Sequence, residues 1–202
     1  MKLRYSTTSP YVRKVTVVAL ETGLDARITR VPTLTSDPAS DLPKDNPLGK
    51  VPALVTDEGI AIYDSPVICE YLDTLHDGAR IVPPIGAARW LALRQQALAD
   101  GILDAAILRL LEMRRPESLR SADWIAKQKR VVGRSLDAIE NDAAALEGPL
   151  TIGLVTTGVA LGYLDFRFGA DQWREGRPRL ARWYASFAAR PSMLATVPKE
   201  MT

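Results

Sequence analysis

The chain has 202 residues, 47% of them hydrophobic, with 26 basic and 24 acidic side chains and a net charge of +2. That length and mix suit a globular protein able to bury a core in one large or two small domains. The near balance of charge gives no electrostatic reason to expect nucleic acid or a membrane surface as a partner. The single cysteine, Cys69, excludes an intrachain disulfide. With no secretory pattern at the N-terminus and no apolar run near the roughly 20 residues of a membrane span, the expected location is the cytoplasm.

In chain order, Lys2–Tyr5 reads as a short strand. Pro10–Thr22 reads as a helix, with Ser9 as N-cap, Pro10 at the first helical position and Gly23 as its stop. Ala26–Val31 is a second strand, and Asp37–Asn46 a weak helix or turn among three prolines. Ala53–Thr56 and Ile60–Tyr63 are strands joined by Asp57-Glu58-Gly59, and Ser65–Leu75 is a helix with Ser65 as N-cap. The order β-α-β-α-β-β-α implies an α/β layer with at least one parallel strand pair. Residues 78–86 read as a linker between a first domain, 1–77, and a second, 87–202. The second reads as an all-helical bundle of four or five helices: Ala87–Met113, Asp123–Leu146, Thr157–Phe168 and Arg179–Ala189.

Three segments of the first half, TTSPYVRKV (7–15), NPLGKVPAL (46–54) and YDSPVICEYLD (63–73), fall in an order and spacing that resembles the cytosolic glutathione transferases of bacterial type. The likeness extends over 97–117, 160–168 and 179–192, so it covers nearly the whole chain. It implies a thioredoxin-like N-terminal domain followed by an all-helical domain. It also implies glutathione as co-substrate with no metal, a small hydrophobic electrophile, and a homodimer in which one chain's N-terminal domain meets the other's helical domain.

The residues admit bland readings beside the chemical ones. Pro52 in Val51-Pro52 would be tolerated at a strand start; the resemblance implies a cis bond there, with the Val51 backbone pairing to a peptide as an added strand. Asp64 and Ser65 suit a helix cap, but the pair also matches the ammonium and carboxylate of a γ-glutamyl group. Lys50 is either a solvated lysine or the partner of the glycyl carboxylate. By resemblance Ser9 stands at the catalytic position, where its hydroxyl would donate to the glutathione thiolate; Thr7 and Thr8 are alternatives, and an ordinary cap is the bland reading. A serine there, not cysteine, argues against a thiol reductase. Retention of the fold as a glutathione-binding or regulatory protein without turnover is the alternative function.

Tyr11, Ile107 and Leu111 are read as lining an electrophile pocket. Arg13 and Lys14 read as a solvated helix face, as do Arg109, Glu112, Arg114 and Arg115. Cys69 reads as packing. Finally, the family's capping box near residue 151 is half lost: Thr151 is present, but Leu154 stands where aspartate is expected. The helix is therefore expected to start late, at Thr156 or Thr157, and Leu154→Asp to raise the melting temperature.

Overall fold

The computed structural model describes residues 1–200. Its elements in order are β1 (Lys2–Tyr5), α1 (Pro10–Glu21), β2 (Thr29–Pro32), α2 (Leu42–Asp45), β3 (Ala53–Val55), β4 (Ala61–Ile62), α3 (Ser65–Asp73), α4 (Gly86–Met113), α5 (Ala122–Asn141), α6 (Ile152–Phe168), α7 (Pro178–Ala188) and α8 (Pro191–Ala195). The architecture is a small mixed four-stranded sheet with helices followed by a helical unit, as the resemblance implies. No helix among the described residues is long and apolar enough to cross a membrane.

Contacts divide the chain into two compact units: Met1–Pro84 together with the chain from Pro191 onward, and Ile85–Arg190. This differs from the expected second domain of 87–202, because α8 packs on α1. Periodicity along the sequence gives no sign of such a return.

In the first unit the four described strands form one sheet in the order β2-β1-β3-β4. β1 and β2 are parallel, and β1–β3 and β3–β4 are antiparallel. Leu3 and Leu54, paired across β1 and β3, are fully buried. α1 and α3 pack on one another, burying Val12, Val15 and Val18 from α1 and Ile68, Cys69 and Leu72 from α3. Cys69 is thus a packing residue, as expected for a buried thiol. At the end of α3 the buried Asp73 carboxylate accepts hydrogen bonds from the amides of Ile81 and Val82 and meets His76 Nε2. This fixes the chain where it leaves the sheet.

In the second unit α6 is buried along nearly its whole length and packs on α4 and α7, the pattern of a helix at the centre of a bundle. Two glycines permit the approach. A Cβ at Gly153 would lie 2.7 Å from the Ala92 carbonyl oxygen of α4, and one at Gly158 2.4 Å from the Phe187 ring of α7.

The sequence reading differs from the structure at several element ends. α6 starts at Ile152, not late: Thr151 Oγ1 accepts from the Leu154 amide, while the Thr156 and Thr157 hydroxyls donate to carbonyls one turn back inside the helix. One hydroxyl suffices to begin it. The expected helix Asp123–Leu146 breaks after Asn141 into a 3₁₀ turn over Ala143–Leu146. The buried spacing 139, 143, 146 fits either form over so short a stretch.

Candidate functional site

Strand direction determines what shares an edge. β1 and β2 run one way, β3 runs opposite, and β4 runs with β1. The C-terminal ends of β1 and β4 and the start of β3 therefore lie at the same end of the sheet. β1 leads there into Thr7, Thr8 and Ser9 and so into α1; β4 leads into Asp64 and so into α3; Val51 and Pro52 stand immediately before β3. The topology thus gathers three expected segments, with two helix N-termini among them.

At α1, Ser9 has extended backbone angles, and its Oγ accepts from the Val12 amide at 3.3 Å. A hydroxyl has one proton to donate and two lone pairs. Capping uses a lone pair and leaves the proton, so the cap and the chemical reading are compatible. Thr8 Oγ1 lies 3.3 Å from Ser6 Oγ, so the neighbouring hydroxyl is already engaged.

The loop before β3 is held by a residue the sequence reading passed over. Asn46 is buried; its Nδ2 donates to the Lys50 carbonyl at 2.8 Å and its Oδ1 accepts from the Leu48 amide at 3.0 Å. Gly49 within that loop has φ +62°, which favours glycine. The Val51–Pro52 bond is cis, as is Tyr63–Asp64. Lys50 is exposed and Val51 half-buried.

At α3 the N-cap position belongs to Asp64, one residue earlier than the expected Ser65. Its carboxylate makes no cap bond and is exposed, while Ser65 is buried. An acid that occupies a cap position without capping is available to a cation. The first-turn amides of a helix attract a carboxylate. Together they can receive a group carrying both charges.

Beside Ser9 lies a cavity of about 200 Å³. One wall is the face of α1 that carries Ser9, Val12, Arg13 and Thr16, spaced three and four apart; the other is the chain after α8, Thr196 to Lys199. Arg13 is buried, and its guanidinium donates from Nη2 to the Met193 carbonyl at 3.1 Å and from Nε to Thr196 Oγ1 at 3.3 Å. Lys14 is buried as well. These two basic residues are therefore not the solvated face expected. The burial of Arg13 depends on chain far away in sequence, and only the high share of apolar neighbours in α1 hints at that of either residue.

Of the expected electrophile-pocket residues, Tyr11 is half-buried on α1. Ile107 is half-buried and Leu111 exposed, one turn apart on α4. Arg109 in the same helix is not on a solvated face. It is buried over the Phe168 ring at 4.4 Å and ion-paired to Asp171, which Lys129 also meets. The Arg109 bond, offset in part by burial and reinforced by Lys129, holds the Asp171 carboxyl below its ordinary range. This clasp ties α4, α5 and the turn after α6. No group of three or more His, Cys, Asp or Glu able to hold a metal ion occurs among the described residues.

The family model for the N-terminal domain of glutathione S-transferases matches residues 8–75, and that for the C-terminal domain matches 122–186. A glutathione transferase family member from Pseudomonas fluorescens Pf-5, solved with bound glutathione, is 42% identical with a TM-score of 0.95 over 98% of this chain and 99% of that one. A second structure from that organism, with bound S-(propanoic acid)-glutathione, is 40% identical with a TM-score of 0.91 over 99% and 100%. The uncharacterized GST-like protein YibF of Escherichia coli K12 is 34% identical over 203 residues, 98% of each chain.

Proposed function

The chain belongs to the glutathione S-transferase family, and from that premise we propose that it binds glutathione at this end of the sheet and transfers the thiolate to a small hydrophobic electrophile. The observation that carries the reading is Asp64, an exposed carboxylate at the head of α3 that caps nothing. It takes the γ-glutamyl ammonium, and Ser65 with the first-turn amides takes the adjoining carboxylate. The Val51 backbone pairs with the cysteinyl residue beside Pro52, and Lys50 neutralises the glycyl carboxylate. Similar proteins solved with glutathione, and with a glutathione substituted at sulfur, support such a site.

Ser9 donates its hydroxyl proton in a hydrogen bond to the sulfur, next to the positive end of α1. A free thiol has a pKa of roughly 8.5, so little of it is ionised near neutrality. Lowering that value by about two units corresponds to about 2.7 kcal/mol, within the combined reach of a charge-assisted hydrogen bond and a helix terminus. The thiolate then attacks an electrophilic carbon. With chlorodinitrobenzene a carbon–sulfur bond forms, and chloride leaves with the carbon–chlorine electron pair.

Turnover of that substrate tests the reading. Ser9→Ala is expected to lower kcat/KM between about tenfold and a hundredfold near pH 7, and to move the rising limb of the pH profile to higher pH. Full activity in the variant rules out the Ser9 contact. Glutathione binding with no turnover in the wild type would leave a binding protein of the same fold. A homodimer is proposed alongside, supported by the exposed apolar residues Ile60 and Val67 at the β4–α3 edge. Light scattering should give twice the 22.1 kDa chain mass.

A further inference from the structure

We propose that Asn46 is a positioning residue for glutathione, aiming the Lys50–Val51 peptide at the cysteinyl and glycyl half of the ligand without touching it. The proposal rests on the reading of Lys50 and Val51 given above. Asn46 is only 1% exposed, and an amide side chain is seldom buried unless its polar ends are used. Here they are. Beside the side-chain bonds to the Lys50 carbonyl and the Leu48 amide, the Asn46 N–H donates to the Leu42 carbonyl at 2.9 Å, where α2 ends. Its own carbonyl accepts from the Gly49 amide at 2.8 Å. The chain from 46 to 50 is thus wound about one buried side chain, although Pro47, Leu48 and Lys50 are exposed.

The bond to Lys50 determines a direction. In a planar trans peptide the C=O and the N–H that follows it point opposite ways, and the Lys50–Val51 peptide is trans. With the Lys50 carbonyl turned in to Asn46, the Val51 N–H points away from it. That N–H is the donor an added peptide strand needs. The Lys50 side chain leaves the backbone at the head of the same peptide, so the same bond sets where its ammonium can reach. The anchor is itself braced. Arg4 of β1 meets α2 through Nη1, 2.8 Å from Asp41 Oδ1, and through Nε, 2.6 Å from Asp45 Oδ2. Two carboxylates on one guanidinium fix its plane, and Asp45 is the residue before Asn46. A loop already fixed when the ligand arrives adds no ordering cost to binding.

Calorimetry with glutathione and turnover of chlorodinitrobenzene, both on the full chain, test this. Asn46→Ala is expected to weaken glutathione binding about tenfold. It should raise the KM for glutathione as much, with kcat at saturating glutathione within about twofold of the wild type. Asn46→Asp keeps an acceptor for the Leu48 amide but turns an oxygen to the Lys50 carbonyl in place of the donor, so it should weaken binding at least as much. Coupling identifies the route. Lys50→Ala is expected to cost about threefold in the wild type and almost nothing beside Asn46→Ala, whereas Asp64→Ala should cost about tenfold in both backgrounds. Wild-type affinity in Asn46→Asp, a fall in kcat without a rise in KM, or an undiminished Lys50→Ala effect each overturns the proposal. If neither Asn46 variant folds, Arg4→Gln carries the test: KM for glutathione should rise about threefold with kcat unchanged, and an unchanged KM overturns it. Failure of the wild type to bind glutathione sinks the proposed function itself.

Discussion

Helix starts in the two units are handled differently. In the helical unit the starts of α5, α6 and α7 are closed by side chains, Ser121 accepting from the Trp124 amide at α5, while α4 begins without a side-chain cap. Thr151 caps α6 with its hydroxyl. Glu140 reaches from α5 to accept from the Arg179 and Leu180 amides at the head of α7, at 3.2 and 2.7 Å. In the first unit Ser9 caps α1 with a lone pair, as Thr151 does α6, but Asp64 occupies the cap position of α3 with an exposed carboxylate that caps nothing. Where a group that could satisfy a helix end is left over, as Asp64 is, the end is available to a ligand.

The largest effect expected from breaking this contrast is at Glu140. Burial pushes its carboxyl up, but the Leu180 and Arg179 amides, with the Arg179 charge, pull it further down, so it lies below the ordinary glutamate value. Glu140→Ala leaves two amides at the head of α7 without their acceptor and should cost about 2–3 kcal/mol, lowering Tm by about 4–12 °C for a chain of this size. The sign of the pH dependence follows from the lowered folded value. The carboxylate's contribution is complete above the ordinary value of about 4.3 and is lost as pH falls through the folded one. The gap in stability between wild type and Glu140→Gln should therefore narrow in denaturant titrations run below about pH 4. A gap constant down to pH 2 would mean that Glu140 acts by packing alone.

Next in size is Asp64→Ala, which should weaken glutathione binding about tenfold and leave the melting temperature unchanged. A fall in Tm with no change in affinity would make α3's start as structural as those of the helical unit. Thr151→Ala is the control from the other side: about 1 kcal/mol of stability lost, with glutathione affinity as in the wild type.

The same contrast explains what the sequence disclosed. The Ser9 cap, Pro10 at the first helical position and the stop at Gly23 are local signals, and the structure has all three. The strand order follows from interleaved short elements. That Asp64 is free of cap duty is invisible locally, because Asp-Ser-Pro reads equally well with either residue as the cap. Arg13 and Arg109 read as solvated in the sequence for one reason. Charged residues are seldom buried, and what buries and pairs Arg13 and Arg109 lies far along the chain, at Met193 and Thr196 for the first and at Asp171 for the second. The cavity beside Ser9 was out of reach for the same reason, since one of its walls comes from the last ten or so residues.

The smallest effect, and the one whose sign the structure reverses, is at Leu154. With aspartate there, the box with Thr151 would be complete, and the sequence alone leads one to expect a gain of about 1 kcal/mol. But Thr151 already caps α6, and Leu154 is buried, facing a cavity lined by Leu146, Leu150, Trp183 and Phe187. Withdrawing a leucine side chain from such a place costs about 1.5–3 kcal/mol, and a carboxylate put in its stead must be desolvated besides. Leu154→Asp should therefore lose about 1 kcal/mol net and lower Tm by about 2–4 °C. Leu154→Asn separates the terms, since it can accept the Thr151 amide proton without a charge. If Asn and Asp destabilise equally, the lost apolar burial decides the outcome; if Asp alone destabilises, the buried charge does. A rise in Tm with Asp would mean that the second arm of the cap outweighs both.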